Sequence, residues 1–296
     1  MILSVSERCD IVAFYMEWFC NRLQVGFLDV RNPFYPKQVS RIVLDKEHIE
    51  AIVFCTKNPE PLYKRIKEIP YPFILHVTIT PYLNDIEPFV PDKKKTIAIV
   101  KKISQEIGKD RVIIRYDPIF ISPKYNIDYH KKMFTRLCEE IDGYTNRIII
   151  SFVDLKRNTL KNRKILNMEP LTKEKIEDLA SFMGKVAAKN HLLITTCAEN
   201  LPLEKFGFQN VPCTPEASIQ KLLNNHKKYR QNRTRENCSC IDMVDIGNYN
   251  VCHHFCRYCY ANYDESQVLI NEKQHDPTSS LLIGHLTSED IIKEKV

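Results

Sequence analysis

Five cysteines, Cys238, Cys240, Cys252, Cys256 and Cys259, fall within 22 residues of a 296-residue chain that holds 11 cysteines in all. An even spread would put about one in such a window, so the excess points to metal binding. The tightest run, Cys252-His-His-Phe-Cys256-Arg-Tyr-Cys259-Tyr, has the spacing Cx3CxxC. Thiolates so spaced on one loop can turn onto a single iron–sulfur cluster. Three protein ligands on a [4Fe-4S] cluster would leave one iron open to a substrate or cofactor. A zinc ion fits the spacing as well, with Cys238, Cys240, His253 and His254 as further candidates for a four-coordinate site.

A second set of side chains with chemistry to offer follows short apolar runs: Thr56-Lys57-Asn58, Thr80, Arg115 and Asp117, Asp154, and Cys197 with Glu199. Arg115 and Asp117 stand inside VIIRYDPIF, where a charge is costly unless it is paired or at a rim. They read equally as a structural ion pair and as part of a pocket. Arg115 would grip a carboxylate or phosphate with two prongs, Lys57 as a point charge. Asp117 or Glu199 would accept from hydroxyl or amino groups, and Cys197 has the polar setting that a reactive thiol needs. Cys9, Cys20, Cys55 and Cys138 lie in apolar periodic segments and read as small buried hydrophobes. Trp18 reads as core packing.

The elements that position these residues alternate. β-branched runs at Ile2–Ser6, Phe27–Arg31, Ala51–Thr56, Phe73–Thr80, Arg111–Tyr116, Arg147–Val153 and Leu192–Thr196 predict strands. Amphipathic stretches at Ile11–Leu23, Thr96–Ile107, Tyr129–Ile141 and Lys173–Lys189 predict helices between them. This is the pattern of parallel βα units. An eighth strand at Cys240–Ile246 would close a TIM-type (β/α) barrel, with an open doubly wound sheet as the alternative. Either way function collects beyond the carboxyl ends of the strands. Arg31, Lys57, Thr80, Arg115, Asp117, Asp154 and Glu199 are therefore expected at one mouth. Residues 1–219 read as the barrel body. Residues 220–296 read as a basic connector and a cysteine-rich segment that completes the barrel.

Composition narrows the class. The chain is 44% hydrophobic and 27% charged, which suits a globular protein. No apolar run reaches the ~18 residues of a membrane helix. The start, MILSVSERCD, lacks the pattern of a signal peptide, so a cytoplasmic location is expected and a disulfide framework is not. Glycine numbers only 7, and neither GxGxxG nor GxxxxGK[ST] occurs. Net charge is +6. The run Gln220–Asn237 sets Lys221, Lys227, Lys228, Arg230, Arg233 and Arg235 against Glu236. It reads as a solvated face or, alternatively, as a contact for nucleic-acid phosphates.

The segment Gly247–Asn262, with Tyr258 before the third cysteine and YCYA at its end, resembles the cluster loop of radical S-adenosylmethionine enzymes in their spore photoproduct lyase-like branch. Arg115-Tyr-Asp-Pro-Ile with Tyr125 and Asp128-Tyr129-His130 resembles another segment of that branch. Over its whole length the chain resembles domain-of-unknown-function family 1848. The shared features are ILSVS-x-R-x-D-I, Arg31-Asn-Pro-Phe, Thr56-Lys-Asn-Pro, Arg115-Tyr-Asp-Pro, Ser151-Phe-Val-Asp, Thr196-Cys-Ala-Glu, Cys-x-Cys, Asp245-Ile-Gly and the Cx3CxxC loop. The first resemblance implies S-adenosylmethionine on the open iron, a 5′-deoxyadenosyl radical, and an electron donor such as a flavodoxin or ferredoxin. It implies cofactor contacts at Tyr258 and, in place of the usual glycine-rich elements, at Thr56, Lys57 and Asn58. Cys197 would then serve as a hydrogen-atom donor. In most such enzymes the loop follows the first barrel strand. Here it lies near the C-terminus, so a strand at Cys240–Ile246 beside strand one would make the barrel a circular permutation.

Overall fold

The computed structural model describes residues 1–154, 157–197, 199, 201–232 and 238–295. Its strands are β1 (Ile2–Val5), β2 (Phe27–Arg31), β3 (Gln38–Val43), β4 (Ala51–Thr56), β5 (Phe73–Thr78), β6 (Val112–Ile119), β7 (Arg147–Phe152), β8 (Leu193–Thr196), β9 (Val244–Asp245) and β10 (Ile291–Lys295). Seven of them form one sheet in the order β8-β7-β6-β5-β4-β1-β9, and every neighbouring pair is parallel. β7, RIIISF, is buried at every position. That continuous burial is expected of a parallel strand covered on both faces.

Helices cover the outer face. Lys93–Ile107, Ile127–Ile141 and Lys173–Lys189 each start at a side chain that accepts backbone N–H groups of the first turn: Asp92, Asn126 and Thr172. Such caps satisfy donors with no partner inside the helix. Val100, Phe134 and Met183 on these helices are fully buried against the sheet. The expected helix Ile11–Leu23 is broken at Tyr15 into Ile11–Phe14 and Met16–Val25. Trp18 sits in the core as expected, and its ring N–H donates to Ser279 O at 2.9 Å.

The closed TIM-type barrel is not formed. Phe27–Arg31 does not join the main sheet. It pairs antiparallel with β3, and β10 completes a separate three-stranded sheet in the order β10-β3-β2. The short 32–37 turn folds β2 straight back, which takes the expected second barrel strand away. The expected strand Cys240–Ile246 shrinks to two residues, Val244 and Asp245, paired parallel to Leu3 and Ser4. β8 and β9 are thus the open edges. Irregular chain fills the seam between them: Gln209 N donates to Ile194 O at 3.0 Å and Ile241 N to Thr214 O at 3.1 Å. Residues 220–295 are not an appendage, since β9 extends the main sheet and β10 the small one. No helix among the described residues is long and apolar enough to cross a membrane.

Candidate functional site

Alternation along the strands sends every second side chain to the inner face of the sheet. Val53 and Cys55 on β4, His76 and Thr78 on β5, and Arg115 and Asp117 on β6 face one cavity of about 370 Å³. The register sets Cys55 beside His76 and Thr78 beside Arg115. The volume lies at the lower end of ligand-binding pockets. The loop that follows β9 roofs this cavity. Because β9 lies beside β1, that loop stands at the carboxyl end of the sheet, where parallel α/β folds collect function.

Cys252, Cys256 and Cys259 all line the cavity, as does Tyr258. Burial pushes all three thiols up from their ordinary value, and nearby Lys57 opposes this at Cys256 and Cys259. The backbone amides of Asn262 and Ala261 also favour the Cys259 thiolate. His254, between the first two cysteines, is buried, with Nε2 2.9 Å from Asp10 Oδ2 and Nδ1 3.3 Å from Phe89 O. Asp10 in turn caps the helix at Ala13 N and accepts from Lys57 N at 2.8 Å. The cysteine loop is thereby tied to the end of β4.

A second tie runs through Glu87, which is 1% exposed. Its carboxylate accepts from Lys57 Nζ at 2.8 Å, from Thr80 Oγ1 at 2.6 Å, and from Lys93 and the Tyr258 hydroxyl. Burial opposes the charge, but Lys57 and Lys93 outweigh it and hold the carboxyl at about 2. Lys57 gains from the same pairing despite burial. Lys93 is lowered, by burial first, although Glu87 supports its charge. The Lys57 Nζ also lies over the Tyr258 ring, 5.6 Å from its centroid.

Arg115 pairs with Asp117, and the Ser151 hydroxyl donates to the same carboxylate. Burial opposes the Asp117 charge, while Arg115 and Ser151 lower its pKa. The pair leaves the cavity open. His76 is the neighbour that pattern reading passed over. It is 1% exposed, and neither ring nitrogen has a hydrogen-bond partner. Burial first, then Arg115 and Arg147, lower its pKa well below the ordinary value, so the ring is neutral. A buried neutral imidazole with no partner is the kind of group a ligand satisfies.

Asp245 organises the turn after β1. It accepts from Ser6 Oγ at 3.0 Å, Glu7 N at 2.6 Å, Arg8 Nε at 3.0 Å and Gly247 N at 2.8 Å. Gly247 approaches so closely that a Cβ there would lie 1.9 Å from Ser6 Oγ and 2.9 Å from Cys9 Sγ. Overpacking of this kind costs about 1–3 kcal/mol. Gly247→Ala is expected to lower the unfolding free energy by that amount, and with it the denaturation midpoint. An unchanged midpoint would show that the turn yields freely.

The expected mouth is met in part. Lys57, Arg115, Asp117, Asp154, Thr56 and Cys197 line the cavity. Thr80 lies behind it on Glu87. Asn58 instead shapes the turn after β4, donating its N–H to Thr56 Oγ1 at 2.9 Å. Glu199 accepts from Phe152 N at 2.8 Å and faces a smaller cavity. Arg31 is elsewhere: on β2 it grips Asp290, with Nη2 to Oδ2 at 2.8 Å. Cys20 and Cys138 are core residues, whereas Cys9 and Cys55 reach the cavity wall. In the basic run, Lys221, Lys227 and Lys228 pair with Asp110, Glu50 and Glu216. Arg233 and Arg235 lie outside the described residues.

Among the described residues, no group of three or more His, Cys, Asp or Glu side chains stands where it could hold a metal ion. The geometry is thus not that of a preformed single-ion site. A cluster differs, since each thiolate binds a different iron and the ligands spread around it. No curated protein and no solved structure matches the chain. One family model does, over residues 2–261, a span that includes the main sheet and the whole cysteine loop. On that match the chain belongs to the family described as Domain of unknown function (DUF1848).

Proposed function

We propose that the protein is an iron–sulfur enzyme of the radical S-adenosylmethionine type. Cys252, Cys256 and Cys259 would hold the cluster, and the cavity beneath them the substrate. The observation that carries this reading is the shared wall: the three thiols of one loop and the polar ends of several parallel strands line the same cavity. When bound, a [4Fe-4S] cluster on three thiolates would supply reductive cleavage of S-adenosylmethionine at its open iron, with an electron from a flavodoxin or ferredoxin.

The chain's own residues would bind and orient. Glu87 keeps Lys57 protonated inside the wall, where its ammonium can meet a carboxylate. Arg115, steered by Asp117, presents a fixed guanidinium to an anionic or carbonyl group. Neutral His76 offers one donor and one acceptor to the floor-bound part of a ligand. Phe152, Val153 and Tyr258 bring apolar surface that limits water. Positioning of this kind is the protein's main contribution where a cofactor carries the chemistry.

Single-ion zinc at the loop is the weaker reading, because no three ligands among the described residues gather about one point. The test is anaerobic reconstitution with iron and sulfide, reduction, and incubation with S-adenosylmethionine. The expected product is 5′-deoxyadenosine, formed slowly even without substrate. A reduced, fully loaded protein that neither binds nor cleaves S-adenosylmethionine would overturn the assignment.

A further inference from the structure

Three neighbouring side chains on the inner face of the main sheet hold more hydrogen-bonding capacity than the chain uses. His76 and Thr78 on β5 and Arg115 on β6 all line the large cavity. Thr78 stands directly opposite Arg115 in the parallel ladder. His76 lies two residues before Thr78 and so on the same face. A strand spacing of ~4.8 Å and a rise of ~3.3 Å per residue put the three backbone positions within about 8 Å of one another. Toward the amino ends of these strands the same face is filled by the buried apolar residues Ile74, Ile113 and Ile149. The three side chains thus form a polar layer on an apolar floor.

The unused groups are mainly donors. Both ring nitrogens of His76 are buried without a partner. Arg115 spends one of its N–H groups on Asp117, and its others meet no acceptor among the described residues. The Thr78 hydroxyl has no partner among them either. The Asp117 carboxylate is already occupied by Arg115 and Ser151. Buried polar groups are hydrogen-bonded as a rule, so the layer is complemented by a group rich in acceptor oxygens. Charge narrows that group. Asp117 offsets Arg115, and Glu87 is paired with Lys57. Arg147, 7% exposed, lies close enough to act on the His76 ring and adds one positive charge behind the wall. A single excess charge matches a carboxylate and not a phosphate dianion.

We propose that this layer is a carboxylate-binding subsite, in which Arg115 and the Thr78 hydroxyl donate to the carboxylate of the substrate and the His76 ring N–H donates to it from below. The substrate is then a carboxylic acid that enters with its carboxylate first. Its far end points to the roof of the cavity, where Cys252, Cys256 and Cys259 stand. Bonds from a guanidinium to a carboxylate are charge-assisted and fix orientation as well as affinity. The carboxylate also supplies His76 with the partner that the chain itself withholds. The inference rests on the reading of this cavity as the substrate's place, and not on the cluster above it.

The test titrates protein labelled with nitrogen-15 at histidine with butyrate, butyramide and inorganic phosphate in turn, before and after iron–sulfur reconstitution. Butyrate should shift the ring signals of one histidine, identified by their loss in His76→Gln, and the shift should saturate. Butyramide and phosphate at the same concentration should leave those signals in place. Arg115→Gln should weaken butyrate binding by roughly tenfold or more, as expected for the loss of a charge-assisted bond. If that variant fails to fold with Asp117 unpaired, Thr78→Val keeps the ion pair and should still weaken binding severalfold. An absent or unsaturable shift, an equal response to butyramide or phosphate, or undiminished binding in the variants would each overturn the subsite. Butyrate binding without cleavage of S-adenosylmethionine would keep the subsite and remove the radical reading. Cleavage without butyrate binding would do the reverse.

Discussion

Cys256→Ala is expected to abolish both the iron–sulfur absorption and all cleavage of S-adenosylmethionine. With Cys256 gone, two thiols remain on the loop, and the proposed four-iron cluster, which would rely on three protein ligands, would leave a second iron to solvent. The effect should be all or none rather than graded, because two thiols are too few to hold a four-iron cluster. Cys138→Ala is the matched control. Cys138 is fully buried where Cys256 is half-buried, and it packs in the apolar core on the outer side of the sheet. It should lose some stability and keep iron, sulfide and cleavage. Iron and sulfide analysis of the two variants, prepared anaerobically side by side, checks the expectation. Equal loss in both would mean that the chromophore reports folding and not ligation.

The periodicities that the sequence carries translate well wherever one signal dominates. Lys173–Lys189 is a helix over the residues its period implies, and the strands from Ala51 to Thr196 fall within a few residues of their apolar runs. The errors arise where a local pattern admits two partners. FLDVR has the make-up of any half-buried strand, and nothing in it says that a short turn will fold it back on QVSRIV. Whether the sheet closes depends on the seam, where irregular chain from 209 to 214 occupies the place of a strand. No periodicity marks that stretch.

The site was legible to the extent that chemistry is clustered in the chain. Cx3CxxC is visible because its ligands are neighbours, and Arg115 and Asp117 because charge inside an apolar run is conspicuous. By the same rule His76, the one polar ring within FILHVT, carried a readable signal. Glu87 carried none. It lies in a proline-flanked stretch between β5 and the helix Lys93–Ile107, and its importance comes from nearby Lys93 and from the lysine and tyrosine that two distant segments bring to it. Cys213 is similar, an isolated thiol between Pro212 and Thr214 until folding sets it against Cys197 and Cys240.

Glu87 also gives the second large effect. Its carboxyl titrates at about 2 in the folded chain against an ordinary 4.5. A depressed carboxyl contributes stability that is fully present above the ordinary value and is lost as pH falls from about 4.5 to about 2. A shift of this size corresponds to about 3 kcal/mol. Glu87→Gln removes the charge and leaves Lys57 and Lys93 facing each other in a buried setting. Breaking such a pair from one side costs about 3–5 kcal/mol. Near neutral pH the variant should therefore unfold at a clearly lower denaturant concentration. The gap between the two proteins should narrow on acidification through that window, since protonation removes from the native protein the charge the variant already lacks. Parallel stability curves would show that Glu87 is not held ionised by its lysines. The same change should loosen the cysteine loop, because the Tyr258 hydroxyl between Cys256 and Cys259 donates to this carboxylate. Glutamine can still accept that bond, but it no longer anchors the ammonium of Lys57 beneath the ring. Weaker retention of iron in Glu87→Gln, at a pH where the chain remains folded, would therefore mark the ion pair as the support on which the loop rests.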